Sequence, residues 1–378
     1  MSTVQEQIEK IEKEIRETPY HKGTEHYIGK LRAKLSKLGA KKLESATRGK
    51  GGGVGYAVKK QGDATVVLIG APSVGKSTLL NKLTSAKSKI APYEFTTVSV
   101  IPGMMEYKNA KIQILDVPGL IEGAEESRGR GREVMSVARG ADLLLIMCDV
   151  DRVAMFESIV NSLEKVGIRT NQVAPRVNIE KKVKGGLIIR SNIKQELGKV
   201  TIKEVANELG IKNAEITIKE KLSLESLIDA FSTNRIYIPA IFVVNKVDLE
   251  KQSTVNSPRS RQAKSGTVWN LAKRGGQQLT VIYVSAKTRT GLSKLREEIW
   301  NKLKFVKVYL VRGEEKPSKN NPLIMKSGQT LGQVAEKIGN EFVEDKIGAK
   351  IWGPGSKYPG QEVSLSTPVV EGMQVRFI

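Results

Sequence analysis

Eight consecutive residues, Gly70-Ala71-Pro72-Ser73-Val74-Gly75-Lys76-Ser77, carry the glycine, lysine and hydroxyl spacing of a phosphate-binding loop. The template needs a strand before it and a helix after it. The apolar run Thr65 to Ile69 and the helix-like run Thr78 to Leu83 stand in those places. Ala71, Pro72, Ser73, Val74, Gly75, Lys76, Ser77 and Thr78 are therefore expected to wrap a nucleotide's phosphates, with the backbone N–H groups of all but Pro72 and a helix N-terminus facing them. Lys76 is expected to reach the β- and γ-phosphates, and Ser77 to ligate Mg²⁺.

Further segments extend this chemistry in chain order. Asp116-Val117-Pro118-Gly119 follows the apolar run Lys111 to Leu115, so its carboxylate falls at a strand end, where it can hold Mg²⁺ through water. Alone, Asp-x-Pro-Gly is an ordinary turn. Downstream of a phosphate loop it reads as a sensor, with the Gly119 N–H meeting the γ-phosphate. Phe95-Thr96-Thr97 lies between the two motifs, in the zone for a threonine that completes the Mg²⁺ shell, with Thr97 favoured over Thr96. Asn245-Lys246-Val247-Asp248 follows the run Ile241 to Val244. The Asp248 carboxylate can accept from guanine N1–H and the exocyclic amine, a donor pair adenine lacks, which argues GTP over ATP. Ser285-Ala286-Lys287 ends the run Val281 to Val284, with the Ala286 N–H expected at guanine O6. The candidate catalytic set is Lys76, Thr97 and Gly119, and the candidate Mg²⁺ ligands are Ser77, Thr97 and Asp116.

The runs that position these motifs alternate with helical patterns, which is the signature of a parallel sheet with covering helices, an α/β fold. Ahead of them, Val4, Ile8, Ile11 and Ile15 recur at helical spacing, and a second helical run spans Tyr27 to Leu43. Its basic stretch from Lys30 to Lys42 fits either a helix-turn-helix-like element meeting RNA or a solvated helical face. Residues 49–62 read as a glycine-rich linker, and no strand precedes them to make them a dinucleotide fingerprint. The stretch Arg152 to Arg235 reads as an inserted α+β subdomain: a helix, a hairpin pairing Arg176–Val183 with Leu187–Ile189 around Lys184-Gly185-Gly186, a helix, the strand Glu215–Ile218, and a helix. From Phe305 a small separate β-rich module closes the chain. The resulting division is 1–48, 49–62, 63–151, 152–235, 236–303 and 304–378.

Composition bounds the partners. With 62 Lys and Arg against 40 Asp and Glu, the net charge of +22 suits RNA or a ribosome, or else a lysine-rich surface kept for solubility or heat tolerance. Cys148 is the only cysteine, so a reducing, cytoplasmic setting is expected. No apolar run approaches a membrane span, and no membrane or DNA partner is expected. With only His21 and His26 present, a histidine-based hydrolase has little to work with. Between Lys251 and Gly276, six basic residues (Lys251, Arg259, Arg261, Lys264, Lys273 and Arg274) stand with no acidic one, a candidate loop for rRNA phosphates or a plain solvated loop.

Taken together with Ala91-Pro92-Tyr93-Glu94-Phe95-Thr96-Thr97 and Asp116-Val117-Pro118-Gly119-Leu120-Ile121-Glu122-Gly123-Ala124, the motif order resembles the Obg-related translation-factor GTPases. The glycine-rich lead-in, the inserted segment and the tail Gly328 to Ile378 are most similar to the developmentally regulated GTP-binding proteins. The resemblance implies an N-terminal helical region, a Ras-like P-loop G domain, a subdomain inserted into it and a C-terminal TGS domain of β-grasp shape. It also implies ribosome association and a role in translation. Leu120 stands where Ras-like proteins carry a water-positioning glutamine, so slow intrinsic turnover is expected, helped by a partner protein or by K⁺. Ser73 occupies the place where K⁺-dependent relatives often carry asparagine, which puts that cation's ligand in doubt. A reading from another class is a ribosome- or RNA-binding adaptor whose nucleotide site is mainly structural.

Overall fold

The computed structural model describes residues 3–47, 61–84, 91–92, 99–117, 137–249, 280–313, 315–320, 322–339, 341–342 and 346–378. Its centre is a sheet of strands β1 (Ala64–Gly70), β2 (Ala91–Pro92), β3 (Ser99–Tyr107), β4 (Ala110–Asp116), β5 (Leu143–Asp149), β11 (Ala240–Asn245) and β12 (Val281–Tyr283). They run in the order β12-β11-β5-β1-β4-β3-β2. The strands from β12 to β4 are parallel, and β3 and β2 are antiparallel additions at one edge. All seven residues of β1 and of β5 are buried, as strands covered on both faces require.

The period-two alternation of these strands sorts their side chains onto two cores. On one face Val67, Ile69, Leu144, Ile146, Phe242 and Val244 pack against α4 (Met155–Lys165), through Phe156, Ile159, Val160 and Leu163. Phe156 meets Phe242 edge to face with ring centroids 5.1 Å apart. On the other face Val66, Leu68, Leu143, Leu145, Ile241 and Val243 pack against α3 (Lys76–Leu83) and α7 (Leu292–Lys302). The first cluster continues to Ile168 in β6 (Ile168–Thr170), which pairs in parallel with β10 (Ile236–Ile238). The expected boundary between residues 151 and 152 therefore falls inside a hydrophobic cluster. An amphipathic helix declares that it has an apolar face but not which core that face will meet.

The inserted unit has its own core and its own three-stranded sheet, β7 (Val177–Lys181), β9 (Ala214–Ile218) and β8 (Leu187–Ser191), in that order. Gly185 and Gly186 take left-handed φ values of 110° and 71°, so the turn exists, but the expected hairpin does not. β9 lies between the two strands, antiparallel to β7 and parallel to β8. The reason is burial: Ala214, Ile216 and Ile218 are all buried, whereas β7 and β8 alternate half-buried and exposed residues as edge strands do. The parallel step from β8 to β9 needs a crossover, and α5 (Lys199–Glu208) supplies it. With α6 (Leu224–Phe231), α5 covers one face of the small sheet.

Of the N-terminal helices α1 (Val4–Glu17) and α2 (Glu25–Thr47), α2 belongs to the same cluster. Ile28 and Ala33 of α2 are buried against α5 and α6. Gly29 packs where an added Cβ would lie 3.2 Å from Leu224, Thr201 and Val205 side chains. Glu25 is buried at this joint and accepts from Gly198 N–H, the Thr201 hydroxyl and Lys22 Nζ at 2.9, 2.9 and 2.8 Å. Within the stretch expected either to meet RNA or to be solvated, α2 divides its faces. Leu31 and Ala33 are buried, while Lys30, Lys34, Lys37 and Lys41 are exposed along one stripe.

The C-terminal unit holds β13 (Phe305–Leu310), β14 (Pro322–Lys326), α8 (Leu331–Ile338), β15 (Ala349–Trp352), β16 (Gln361–Val363) and β17 (Gln374–Phe377). Their order is β14-β13-β17-β15-β16, with β13 and β17 parallel and the other pairs antiparallel, a β-grasp arrangement. The expected module has its own core, with Val308, Met325, Leu331, Val334, Ile351 and Val375 buried together, and it docks on the central sheet. Phe305 and Ile324 join the second core of the central sheet, and Trp300 meets Phe305 edge to face at 5.4 Å. Lys326 Nζ reaches Asp142 at 2.7 Å and Lys337 Nζ reaches Asp63 at 2.6 Å, both beside the amino ends of β5 and β1. No helix among the described residues is long and apolar enough to cross a membrane.

Candidate functional site

The carboxyl ends of β1, β4, β11 and β12 bring four of the sequence motifs to one edge of the sheet. This is where the chain, having left β1 toward β4, returns on its other side as β5, the switch point at which parallel sheets open a crevice. The loop after β1 has a backbone that ordinary residues resist: Ser73 has φ 60° and Gly75 φ 91°. A Cβ on Gly75 would stand 2.5 Å from Asn245 Nδ2. Gly75 is also the N-cap of α3 and has no side chain to cap it, which leaves first-turn N–H groups for a ligand.

Lys76 is buried, and its Nζ donates to the carbonyls of Gly70 at 2.9 Å and Ala71 at 3.0 Å. Burial lowers its pKa; Asp116 opposes this and Arg152 adds to it. Asp116, at the end of β4, is 2% exposed and accepts from the Ser77 hydroxyl at 2.5 Å. Burial raises its pKa against the pull of Ser77 and Lys76. Its Oδ1 is buried and has no hydrogen-bond partner among the described residues. A buried carboxylate oxygen without a donor, beside a hydroxyl, is an all-oxygen donor set of the kind a hard divalent cation takes.

Asn245 joins the phosphate loop to the loop after β12. Its Nδ2 donates to Val74 O at 2.8 Å, and its Oδ1 accepts from Ala286 N–H at 3.0 Å. The expected donation of Ala286 N–H to guanine O6 thus meets a competitor, and that hydrogen must be shared or released before it can serve a base. Asp248 sits exposed in a short 3₁₀ turn, and hydrogen bonding from Ser285 lowers its pKa, so the carboxylate is ionised and presented outward. Ser285 is fully buried, with its Oγ accepting from Thr288 N–H at 3.1 Å. Lys246 has φ 63°, the third left-handed residue of the site, while Lys287 is exposed beside Asp248.

Two residues absent from the motifs belong to this edge. Asp149, the last residue of β5, is buried and holds Arg152 through Nε at 3.1 Å and Nη2 at 2.6 Å. The Arg152 Nη2 also lies 3.3 Å from Pro72 O, and Lys246 Nζ lies 3.4 Å from Asp149 Oδ2. Hydrogen bonding from Arg152 holds the Asp149 carboxyl below its usual range. A carboxylate ending the run Leu143 to Cys148, at the same edge as Asp116, was the available signal. Cys148 itself is a packing residue, its thiol pushed up to about 12 by burial. Phe95, Thr96, Thr97, Gly119 and Leu120, the glycine-rich residues 49–60 and the basic stretch Lys251 to Gly276 lie outside the described residues.

Residues 65–182 match the family described as 50S ribosome-binding GTPase, residues 184–305 the C-terminal region of the MMR_HSR1 domain, and residues 306–378 the TGS domain. An uncharacterized GTP-binding protein of Methanocaldococcus jannaschii is 42% identical over 98% of this chain and 91% of its own length. Ribosome-interacting GTPase 1 of Saccharomyces cerevisiae is 37% identical over 97% and 96%. Human developmentally-regulated GTP-binding protein 2 is 36% identical over 96% and 95%.

Proposed function

The chain belongs to the family of developmentally regulated GTP-binding proteins, with a P-loop G domain and a C-terminal TGS domain, and on that premise we propose that it binds GTP and hydrolyses it slowly as a Mg²⁺-dependent switch acting with the ribosome. The observation that carries the reading is the joining of Asn245 to both the phosphate loop and the loop of Ala286, with Asp248 ionised and exposed beside them. One edge of the sheet thereby carries a phosphate cradle and a carboxylate suited to guanine.

In this reading Lys76 exchanges the carbonyls of Gly70 and Ala71 for β- and γ-phosphate oxygens, and Asp248 accepts from the guanine N1–H and amine. Ser77 and Asp116 would hold Mg²⁺, with Asp116 Oδ1 the buried oxygen that lacks a partner among the described residues; bound there, the ion would neutralise charge on the phosphates. Thr97 would complete the Mg²⁺ shell and the Gly119 N–H would meet the γ-phosphate, and Leu120 gives no side chain able to orient water, so turnover is slow without a partner protein or K⁺. The names of the matched family and of the yeast relative support the ribosome as partner, as does the +22 charge. The N-terminal helices, the inserted unit and the TGS domain pass the nucleotide state to that partner.

The test is GTP hydrolysis by the purified protein with and without ribosomes, in K⁺ and in Na⁺, with ATP and Lys76→Ala as controls. GTP-specific turnover, lost in Lys76→Ala and raised by ribosomes, is the expected outcome. Turnover no faster than Lys76→Ala, with ribosome binding indifferent to GTP, would leave a ribosome-binding adaptor instead. Equal rates in K⁺ and Na⁺ would remove K⁺ from the scheme.

A further inference from the structure

The Asp149 carboxylate links the base-reading motif to the phosphate loop by way of Arg152, a second tie beside the direct one that Asn245 makes. Three donor contacts from Arg152 fix it, Nε to each oxygen at 3.1 Å and Nη2 to Oδ2 at 2.6 Å. The guanidinium fork then reaches past the carboxylate to the carbonyl of Pro72, 3.3 Å from Nη2, in the loop that precedes α3. From the opposite side Lys246, in the motif after β11, brings its ammonium to 3.4 Å from Asp149 Oδ2. Asp149 is 6% exposed, and the Arg152 side chain keeps 38% of its surface, so the carboxylate forms a rigid base and the arginine an accessible bracket.

Loop geometry explains why a bracket is useful there. Ser73, the residue after Pro72, holds a left-handed φ of 60°, a strained conformation that persists only when its surroundings enforce it. Asn245 fixes the loop from one side at Val74, two residues beyond Pro72. Arg152 fixes it from the other, so the strained residue sits between two anchors. Arg152 also lies close enough to lower the Lys76 pKa, so it stands within electrostatic reach of the phosphate-binding ammonium.

We propose that Arg152, clamped by Asp149, is a positioning residue for nucleotide binding, holding the Pro72 carbonyl so that the phosphate loop keeps a fixed register with Lys246 of the base-reading motif. The inference rests on the GTP-binding reading above. A guanidinium can grip a carboxylate with two nitrogens while donating to a carbonyl; an ammonium at the same place cannot span both. The role is therefore one of shape as well as charge.

The experiment is titration of the full-length protein with fluorescent methylanthraniloyl GDP and a methylanthraniloyl derivative of a non-hydrolysable GTP analogue, with Mg²⁺. The variants are Arg152→Gln, Arg152→Lys, Asp149→Asn and the Arg152→Gln/Asp149→Asn double variant, each with a melting curve. Arg152→Gln should weaken both nucleotides on the order of tenfold with little change in melting temperature, since its side chain is partly exposed. Arg152→Lys should recover little of the loss, and the double variant should bind no worse than the weaker single one, because the two residues act as one clamp. Three results would overturn the inference: Arg152→Gln binding like the unaltered protein, Arg152→Lys restoring full affinity, or losses that add in the double variant. If the unaltered protein binds neither nucleotide, the GTP reading falls and takes this inference with it; binding by the unaltered protein and equal binding by Arg152→Gln removes the inference alone.

Discussion

At the scale of single residues, base selection on this reading reduces to which hydrogens and lone pairs Asp248 offers. An ionised carboxylate accepts from both guanine donors; an amide presents one acceptor and one donor. Asp248→Asn should therefore cost GTP affinity by about two orders of magnitude or more and improve binding of xanthosine triphosphate, whose purine carries an oxygen in place of the amine. Competition of both nucleotides against a fluorescent GDP derivative checks this, and an unchanged GTP to XTP ratio would remove Asp248 from base recognition. That Asp116 and Asn245 end strands at one edge of the sheet could be read from the chain, because each closes a short apolar run. Arg152 could not, because nothing in its spacing distinguishes it from a surface arginine, and its meaning arises only when β5 is laid beside β1. The engagement of Ala286 N–H by Asn245 was equally hidden, since the partner of a backbone N–H depends on a side chain 41 residues away.

At the scale of elements, the phosphate loop depends on a backbone shape that only glycine takes cheaply. Gly75→Ala would place a methyl group against Asn245 at a φ of 91°, so it should cost about 1–3 kcal/mol in urea unfolding and abolish nucleotide binding. Retained affinity would mean that the contact with Asn245 is dispensable. The joint between α2 and α5 makes a separate, pH-dependent prediction. Burial alone would raise the Glu25 pKa, but hydrogen bonds from Gly198, Lys22 and Thr201 outweigh it and leave the value below the usual 4.5. A carboxyl lowered on folding stabilises above its unfolded pKa, and the contribution fades as pH falls through the folded value. Glu25→Gln should thus be less stable than the unaltered protein at neutral pH, by about 1–3 kcal/mol, with the gap closing below pH 4.5. A gap that is constant from pH 3 to pH 7, roughly the span of carboxylate titration, would refute this. Elements themselves were legible from periodicity: the runs around Thr65, Lys111, Leu143, Ile241 and Val281 all became strands of one sheet. Pairing was less so. The glycine pair at 185–186 gives a turn, and a turn between two short runs reads as a hairpin until a more deeply buried third strand, β9, takes the place between them.

At the scale of the whole molecule, the edge proposed for the nucleotide and the TGS domain lie at opposite ends of the central sheet's parallel strands. Asp116 and Asn245 end β4 and β11, whereas Asp63 and Asp142 precede β1 and β5 and receive Lys337 and Lys326. The apolar part of that contact, Trp300 with Phe305, should dominate its strength, because the exposed sides of the ion pairs are screened by water. Phe305→Ala is expected to destabilise by about 3–5 kcal/mol and to split thermal unfolding into two transitions; a single transition at an unchanged temperature would argue against a shared core. Why this docking escaped the chain's pattern is plain in the residues: Phe305 and Ile324 look like ordinary strand residues of a self-contained module, and their burial by α7 is a property of the assembled fold. Between the end of α7 at Lys302 and the start of β13 at Phe305 only Leu303 and Lys304 intervene, and Leu303 is itself buried. A fluorophore attached near Ile378 should consequently report, in polarisation decay, the slow tumbling of the entire particle and not the quick rotation of a tethered appendage, so the tail is a ready gauge of whatever large body the protein has joined.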